Sequence, residues 1–230
     1  MMGRTHAVTG ALAFWAGTSW FPQNLPALVL GSVVCTGAAL LPDIDHPNAT
    51  TTRTYGPVTS AFSWVVRKIS GGHRNGTHSI LGISILGGST YQAVMYQNVP
   101  GWPGQVAKGW LVLWLILATA GAVRLLKIDG IIDDLLPIPV CAALVYLQPV
   151  SLAWVPLALV LGSATHVAGD MLTNGGCPLL WPYAPGKGKK AKPKRYALGL
   201  FKTGGMVENW LVLPTAMIGT VTLIGWRIFG

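Results

Sequence analysis

Two long stretches of this chain contain no charged side chain, and they constrain its fold more than any other feature. Residues 5–42 and residues 135–169 are 38 and 35 residues without Asp, Glu, Lys or Arg. A helix rises ~1.5 Å per residue, so either stretch as one helix would be roughly twice as long as a ~30 Å hydrocarbon core is thick. Each stretch therefore predicts two short membrane spans, hinged at residues 21–24 and 148–151.

Three further apolar segments complete the prediction, at about residues 80–97, 109–126 and 209–228. Only 10% of the residues are charged and 51% are hydrophobic, whereas soluble domains carry about 25% charged residues. We therefore predict one all-α integral membrane domain over residues 1–230, built as a polytopic transmembrane helical bundle of about seven spans.

The basic residues predict the orientation of this bundle. With seven spans and the N-terminus inside, 14 of the 16 Lys and Arg residues lie on the cytoplasmic side, and only Lys108 and Arg227 lie outside. This asymmetry follows the positive-inside rule and predicts a multi-pass protein of the inner or plasma membrane. Segment 135–147 is short and contains Pro137 and Pro139, so a tilted or re-entrant segment is the alternative there. A full crossing is favoured because the charge asymmetry requires it.

All five histidines and four of the seven carboxylates lie in short polar motifs at the ends of the apolar segments. Apolar spans rarely keep ionisable groups near bilayer depth unless those groups have a function. The span count puts the whole set on the cytoplasmic side: His6, Asp43, Asp45, His46, His73, His78, His166, Asp170 and Glu208. The sequence therefore predicts one polar site at the cytoplasmic membrane surface.

Two of these motifs have spacings that suit metal binding. His166 and Asp170 are four residues apart and share one helix face, where an imidazole and a carboxylate can bind one ion. A hydrogen-bonded pair that steadies the helix end is the alternative. Asp43 and Asp45 lie between two prolines, which predicts a non-helical loop. Such a pair can bridge two cations, or one carboxylate can act as a base; an acidic loop facing solvent is the alternative.

A third motif combines imidazoles with an arginine. His73 and His78 flank an Asn-Gly turn, and Arg74 follows His73 directly. Thr77 or Ser79 can cap the helix that comes next. A helix N-terminus beside an arginine favours an anion such as a phosphate group. A basic solvated loop is the alternative interpretation.

The segment at about residues 185–205 is strongly basic and contains no acid. Its basic residues are Lys187, Lys189, Lys190, Lys192, Lys194, Arg195 and Lys202. This composition predicts a flexible cytoplasmic loop that attracts anionic lipid headgroups, or one that only determines topology. We expect no specific nucleic acid, since the stacking aromatics there are limited to Tyr183 and Tyr196. The three cysteines form no C-x-x-C pair, which argues against a thiolate zinc site.

Four of the motifs, in their order along the chain, resemble a known family. They are Thr5-His6 with Gly10, Leu41-Pro42-Asp43-Ile44-Asp45, His73-Arg74 with Thr77-His78-Ser79, and Thr165-His166 with Asp170 and Thr173. The set resembles the membrane-bound metal-dependent hydrolases, also described as LexA-binding, inner-membrane-associated hydrolases, from residue 5 to about residue 182. That family is regarded as distantly similar to zinc-dependent phospholipase C and P1-type nuclease. The resemblance implies hydrolase chemistry without naming a substrate.

We therefore predict an integral membrane metal-dependent hydrolase of the phospholipase C or phosphoesterase type. It would cleave an ester or phosphoester of a lipid or lipid-linked small molecule with metal-activated water. One to three divalent ions are expected on His6, Asp43, Asp45, His78, His166 and Asp170. Imidazole and carboxylate without thiolate suit Zn²⁺ and also permit Mn²⁺ or Fe.

The remaining site residues have expected roles beside the metal. Asp45, His73 and Glu208 are the candidate catalytic proton acceptors, and Arg74 and His46 are the candidate substrate-binding residues. Two other functions stay open: a non-catalytic membrane scaffold that binds anionic lipid or a partner through the basic loop, and a cation transporter. The transporter is disfavoured because the outer halves of the spans carry few polar side chains.

Overall fold

The computed structural model describes residues 1–127, 130–148, 150–185 and 192–229, and the regular structure of these residues is helical. The helices are α1 Gly3–Ala16, α2 Leu25–Ala38, α3 Thr50–Arg53, α4 Pro57–Ile69, α5 Ile80–Tyr96, α6 Trp102–Val123, α7 Gly130–Leu135, α8 Pro137–Leu147, α9 Val155–Leu172 and α10 Leu213–Phe229. Short 3₁₀ turns cover Leu41–Asp45 and Gly76–His78, and a π-helical turn, Glu208–Val212, leads into α10.

Within the described residues, four segments are long and apolar enough to cross a membrane. They are Leu25–Asp45, Trp102–Val123, Val155–Leu172 and Glu208–Phe229. The other three predicted spans also coincide with helices, namely α1, α5 and α8, which have 14, 17 and 11 residues. The all-helical membrane fold is confirmed.

Helices α2 and α9 lie at the centre of the bundle, where small residues allow their backbones close approach. A Cβ added at Gly37 on α2 would lie 1.7 Å from Ala118 O on α6, and one added at Gly162 on α9 would lie 2.3 Å from Cys35 O on α2. Membrane helices pack this way because apolar side chains gain little from leaving lipid, so close van der Waals contact holds them together.

Polar contacts mark the two ends of the bundle. At one end Arg124 binds Asp134 through Nε and Nη2 at 2.5 and 2.6 Å and also donates to Thr54 O at 2.8 Å. At the other end Gln148 Nε2 donates to Asn98 Oδ1 at 2.9 Å. Helices α7 and α8 connect these two ends, so together they extend along the bundle rather than across it.

Two of the local predictions meet different outcomes. Ser79 does cap α5, since its Oγ accepts a hydrogen bond from Gly82 N at 3.1 Å. The non-helical loop predicted around Asp43 and Asp45 is wrong, because Leu41–Asp45 forms a 3₁₀ turn. Pro42 is tolerated there since the first turn of a helix has no acceptor for the amide that proline lacks.

The C-terminal part of the basic segment, within residues 192–205, is bonded to the end of α9. Leu198 N donates to Met171 O at 2.7 Å, and Leu200 N donates to Leu172 O at 2.8 Å. The last carbonyls of a helix need donors from outside it, and residues 198 and 200 supply them to α9. A flexible loop is therefore the wrong prediction for this part. The predictions for Pro149, Lys187, Lys189 and Lys190 concern positions outside the described residues, and Asp129 lies outside them too.

Candidate metal centre

Four chain segments bring their polar side chains to one end of the bundle. His6 comes from the first turns of α1, Asp43 and Asp45 from the 3₁₀ turn after α2, His78 from the turn before α5, and His166 and Asp170 from the last turns of α9. All of these side chains except that of Asp43 are fully buried. The helix ends thus converge on one cluster, although the residues are up to 164 positions apart.

The Nε2 atoms of His78 and His166 face each other at the centre of this cluster, 3.2 Å apart. His166 Nδ1 donates to Ala39 O at 2.7 Å, so its proton is on Nδ1. Thr77 Oγ1 donates its proton to Asp45 Oδ2, so its lone pairs are free to accept a hydrogen bond from His78 Nδ1 at 2.9 Å. The His78 proton is therefore also on Nδ1. A neutral imidazole carries one proton, so both Nε2 atoms present lone pairs. Two facing lone pairs cannot hydrogen-bond to each other, and a cation between them could bind both.

Two carboxylates complete a set of four donors around this pair. Asp43 Oδ1 lies 3.3 Å from His78 Nε2 and 3.7 Å from His166 Nε2. Asp170 Oδ2 lies 3.9 Å from each of the same nitrogens. Ligands at 2.0–2.1 Å from a tetrahedral ion are about 3.4 Å apart. The donor atoms of Asp43, His78 and His166 all lie within 4.8 Å of one another and could hold one ion, with Asp170 within 3.9 Å of both histidines.

His6 extends the cluster on the side of Asp170. Its ring stacks on His166 with 3.6 Å between ring centroids, and its Nε2 lies 3.2 Å from Asp170 Oδ1. His6, His166 and Asp170 thus form a second group whose donor atoms all lie within 4.8 Å of one another. Among the described residues, His6 Nδ1 is buried without a partner. Asp170 Oδ1 also contacts the amino group of Met1.

A more exposed group lies beside the central one. His73 Nδ1 is 2.8 Å from Asp45 Oδ1, while Arg74 N and Thr77 Oγ1 donate to Asp45 Oδ2 at 3.0 and 2.7 Å. Asp43, Asp45 and His73 form the third candidate group. The His73 side chain is 32% exposed and that of Asp43 is 25% exposed. Asp43 belongs to both the central and the outer group, so its carboxylate is placed to bridge two ions.

A pocket of about 220 Å³ opens beside Asp43 and includes His46 and Ala49 in its wall. The His46 ring is edge-on to the His73 ring, 4.6 Å between centroids, and its Nδ1 accepts from Asn48 N at 3.1 Å. Burial lowers the pKa of His46, and the charges of His73 and Arg67 lower that pKa further. His46 therefore lies at the mouth of the cluster rather than inside it.

The two remaining predicted residues are placed differently from each other. Arg74 Nη2 lies 2.9 Å from Asp170 Oδ2, so its guanidinium points into the cluster. Glu208 does not join it: Oε1 accepts from Met2 N at 2.6 Å, and Oε2 accepts from Gly204 N at 2.7 Å. Its carboxylate ties the start of α10 to the start of α1.

Sequence reasoning missed the groups that set the two imidazole tautomers. Thr77 was expected only as a helix cap, and instead it links His78 to Asp45. The carbonyl of Ala39 orients His166. The Thr77-His78 pairing is visible in the sequence, but no pattern could single out a backbone carbonyl on another helix.

Comparison with known proteins connects this architecture to a family. The family model of the YdjM inner membrane protein matches residues 1–228. The chain belongs to the YdjM inner membrane protein family. Its relatives include the Inner membrane protein YdjM of Escherichia coli (strain K12) and that of Shigella flexneri, each 28% identical over 145 residues. The prediction of an inner membrane protein is thereby confirmed. The names of these relatives describe no reaction, so the predicted hydrolase activity stays a prediction.

The match to these relatives is partial. It covers 62% of this chain and 44% of each relative, so it spans less than half of the relatives' length. No solved structure matches the chain.

Proposed function

We propose that this family member is a metal-dependent hydrolase of the inner membrane, with a His/Asp centre that holds two divalent ions. The observation that carries the proposal is the facing pair of Nε2 atoms on His78 and His166, 3.2 Å apart. In the neutral imidazoles both buried nitrogens are acceptors, which cannot hydrogen-bond to each other, and an unsatisfied buried polar atom costs ~1–3 kcal/mol. A bound cation removes that cost for both.

The central group, with His78, His166, Asp43 and Asp170, would hold the inner ion. The outer ion would be held by the carboxylates of Asp43 and Asp45, with Asp43 shared between the two ions. His6 lies beside the central group and could help to bind a third ion, the upper limit of the one to three ions expected. The donors are imidazole and carboxylate only, which suits Zn²⁺ and permits Mn²⁺ or Fe.

When bound, the ions supply Lewis acidity and a water whose pKa is lowered towards neutrality. The chain's own residues then divide the other tasks. His73, hydrogen-bonded to Asp45 and partly open to solvent, would take up and release the proton. Arg74, with a guanidinium at Asp170, would stabilise negative charge on a phosphoryl group. Glu208 is left out of this scheme because both of its oxygens already accept backbone amides.

The proposed substrate is an ester or phosphoester of a lipid or lipid-linked molecule. The pocket beside Asp43 opens at the ends of the membrane helices, where a lipid headgroup arrives by lateral diffusion. Partners beyond the lipid surface and this substrate are not required by the scheme.

We further propose seven crossings, with the centre on the cytoplasmic side. The clustered ligands require the start of α1, the end of α2, the start of α5 and the end of α9 to lie on one side. Leu136 has helical backbone angles between α7 and α8, and residues 130–147 as one straight helix would rise about 27 Å, close to the ~30 Å of a hydrocarbon core. The bias of the basic residues supports the inside assignment.

Metal analysis of the purified protein tests the proposal. We expect about two equivalents of a transition metal in the wild type and loss of at least one in His166→Ala/Asp170→Ala. His46→Ala is the matched control, because His46 lies at the mouth and should leave the metal content unchanged. Wild-type protein without stoichiometric metal would overturn the proposal. Metal without turnover of phospholipids or soluble phosphoesters would favour the scaffold instead.

A further inference from the structure

Helix α4 turns its polar side towards the protein. Thr59 and Ser63 are its buried residues. Thr59 Oγ1 donates to Thr52 O at 2.7 Å, and Thr52 Oγ1 donates to Ser63 Oγ at 3.2 Å. The hydroxyl groups therefore hold α4 against the segment that follows Asp45, which is the segment next to the outer metal group.

The outward side of α4 is largely apolar. Val58, Val65 and Ile69 are spaced i, i+7 and i+11 and share one helical face. Val58 and Ile69 are 75% and 74% exposed, and Trp64 is 62% exposed. The neighbouring flank of the helix packs against the core through Phe62. An apolar stripe that continues outward from the core of a membrane bundle is a surface for lipid.

A basic pocket lies at the C-terminal end of the same helix. It measures about 380 Å³ and is lined by Trp64, Arg67, Lys68, Gly71 and Gly72. Gly72 N donates to Arg67 O at 2.9 Å, with φ of +110° at Gly72 and +78° at Gly71. This turn ends the helix in a conformation that favours glycine. Lys68 Nζ lies 5.7 Å from the centroid of the Trp64 ring.

The two cations of this pocket have no carboxylate partner among the residues that the structure describes. Within the described part of the chain, the arginine ion pairs are those of Arg74 and Arg124, and neither Arg67 nor Lys68 takes part in one. Unpaired basic residues next to an apolar stripe complement a ligand that is anionic at one end and apolar at the other. An anionic phospholipid has that chemistry.

We propose that α4 lies in the headgroup layer of the membrane and that Arg67 and Lys68 bind the phosphate of an anionic phospholipid in this pocket. Trp64 then lies at the depth where tryptophan concentrates in membrane proteins. Because Gly72 directly precedes His73, the pocket holds the lipid surface against the outer metal group. The assignment of this pocket to the cytoplasmic side of the membrane rests on the proposed function. The binding of an anionic lipid in the pocket does not depend on it.

Collision accessibility of spin labels tests the depth of α4 in nanodiscs. The full chain would carry one label at a time, at Val65→Cys on the apolar stripe, at Ser60→Cys on the exposed polar flank, or at Ile85→Cys on α5 as the lipid reference. The native cysteines are fully buried and should not react. We expect oxygen, which concentrates in lipid, to relax the labels at positions 65 and 85 more strongly than a water-soluble nickel complex does. At position 60 the nickel complex should be the stronger relaxant. Equal nickel accessibility at 60 and 65 overturns the proposal.

Lipid binding tests the pocket itself. Phosphatidylglycerol would be titrated into the detergent-purified protein and its dissociation constant read by native mass spectrometry. A basic residue near an anionic lipid is worth ~1 kcal/mol, or about fivefold, so Arg67→Gln/Lys68→Gln should weaken binding roughly 25-fold. Lys108→Gln/Arg227→Gln removes the same charge from the two basic residues predicted to lie on the opposite side of the membrane and should leave the constant near its wild-type value.

Other outcomes of this titration contradict the proposal. Equal weakening in both double variants would mean diffuse charge attraction, and effective competition by soluble glycerol phosphate or an acidic peptide would mean a ligand other than lipid. Metal content is measured on the same samples. A protein that binds phosphatidylglycerol without metal would refute the hydrolase proposal alone, and one that holds metal without this lipid preference would refute the lipid site alone.

Discussion

Replacement of Thr77 by valine removes a hydroxyl group from the centre with almost no change in side-chain shape. In the native protein Thr77 Oγ1 donates to Asp45 Oδ2 at 2.7 Å and accepts from His78 Nδ1 at 2.9 Å. A hydrogen bond to a charged group is worth ~1.5–3 kcal/mol and a neutral one ~0.5–1.5 kcal/mol. The metal-free variant should therefore lose about 2–4 kcal/mol of stability, as seen in its thermal transition.

The effect on metal affinity follows from the tautomer that Thr77 imposes. Without the hydroxyl, the His78 proton is no longer held on Nδ1, and Nε2 is no longer reserved for an ion. Loss of such an outer hydrogen bond typically weakens metal binding 10- to 100-fold. We expect the lower end of that range, because Asp45 Oδ2 lies 3.9 Å from His78 Nδ1 and can move in to replace the lost acceptor.

Competition with chelators of graded affinity, at constant pH, measures this change for Zn²⁺. Thr77→Ser keeps the hydroxyl and should retain most of the wild-type affinity. Wild-type affinity in Thr77→Val would refute the tautomer argument. Equal weakening in the serine and valine variants would show that the lost methyl group, not the hydrogen bond, is responsible.

Three further predictions concern the metal count and the framework. Asp45→Asn should lower the metal content from about two equivalents to one by elemental analysis, because Asp45 is a donor of the outer group while the central group keeps Asp43, His78 and His166. Gly37→Ala should prevent monodisperse purification, since its Cβ would lie 1.7 Å from Ala118 O; Gly88→Ala, where nothing lies within 4 Å, should purify normally. Glu208→Gln should lower the free energy of unfolding by about 1–3 kcal/mol, measured by thermal denaturation, because a hydrogen bond to a backbone amide is weakened. Its metal content should not change. Loss of turnover without loss of stability would restore Glu208 as a catalytic candidate.

Much of this fold can be predicted because lipid imposes simple rules on a chain. A backbone in hydrocarbon must satisfy its own hydrogen bonds, so apolar, uncharged segments become helices of membrane length. That rule places helices at each predicted segment, including the weak one at residues 135–147. It does not apply to the connections, which is why the 3₁₀ turn at Asp43 and the ordered segment near Leu198 were predicted wrongly.

The candidate site is predictable for a related reason. Ionisable residues are so rare in this chain that their positions at span ends point to one another, and six predicted ligands do lie in one cluster. The catalytic candidates were harder to choose from the motifs. Glu208 was predicted as a proton acceptor beside the metal ligand Asp170, yet backbone amides occupy the first while imidazoles surround the second.

By itself, the sequence determined the helical membrane class, the segments that become helices and the residue types able to bind a metal. These depend on local properties, namely the distribution of charge and hydrophobicity along the chain. Only the tertiary structure decided which nitrogen of each histidine is free, that Asp43 is shared between two groups, and that α4 turns its apolar face outward. Those features depend on hydrogen bonds and packing between residues far apart in sequence, such as His166 with Ala39, and no local pattern encodes them.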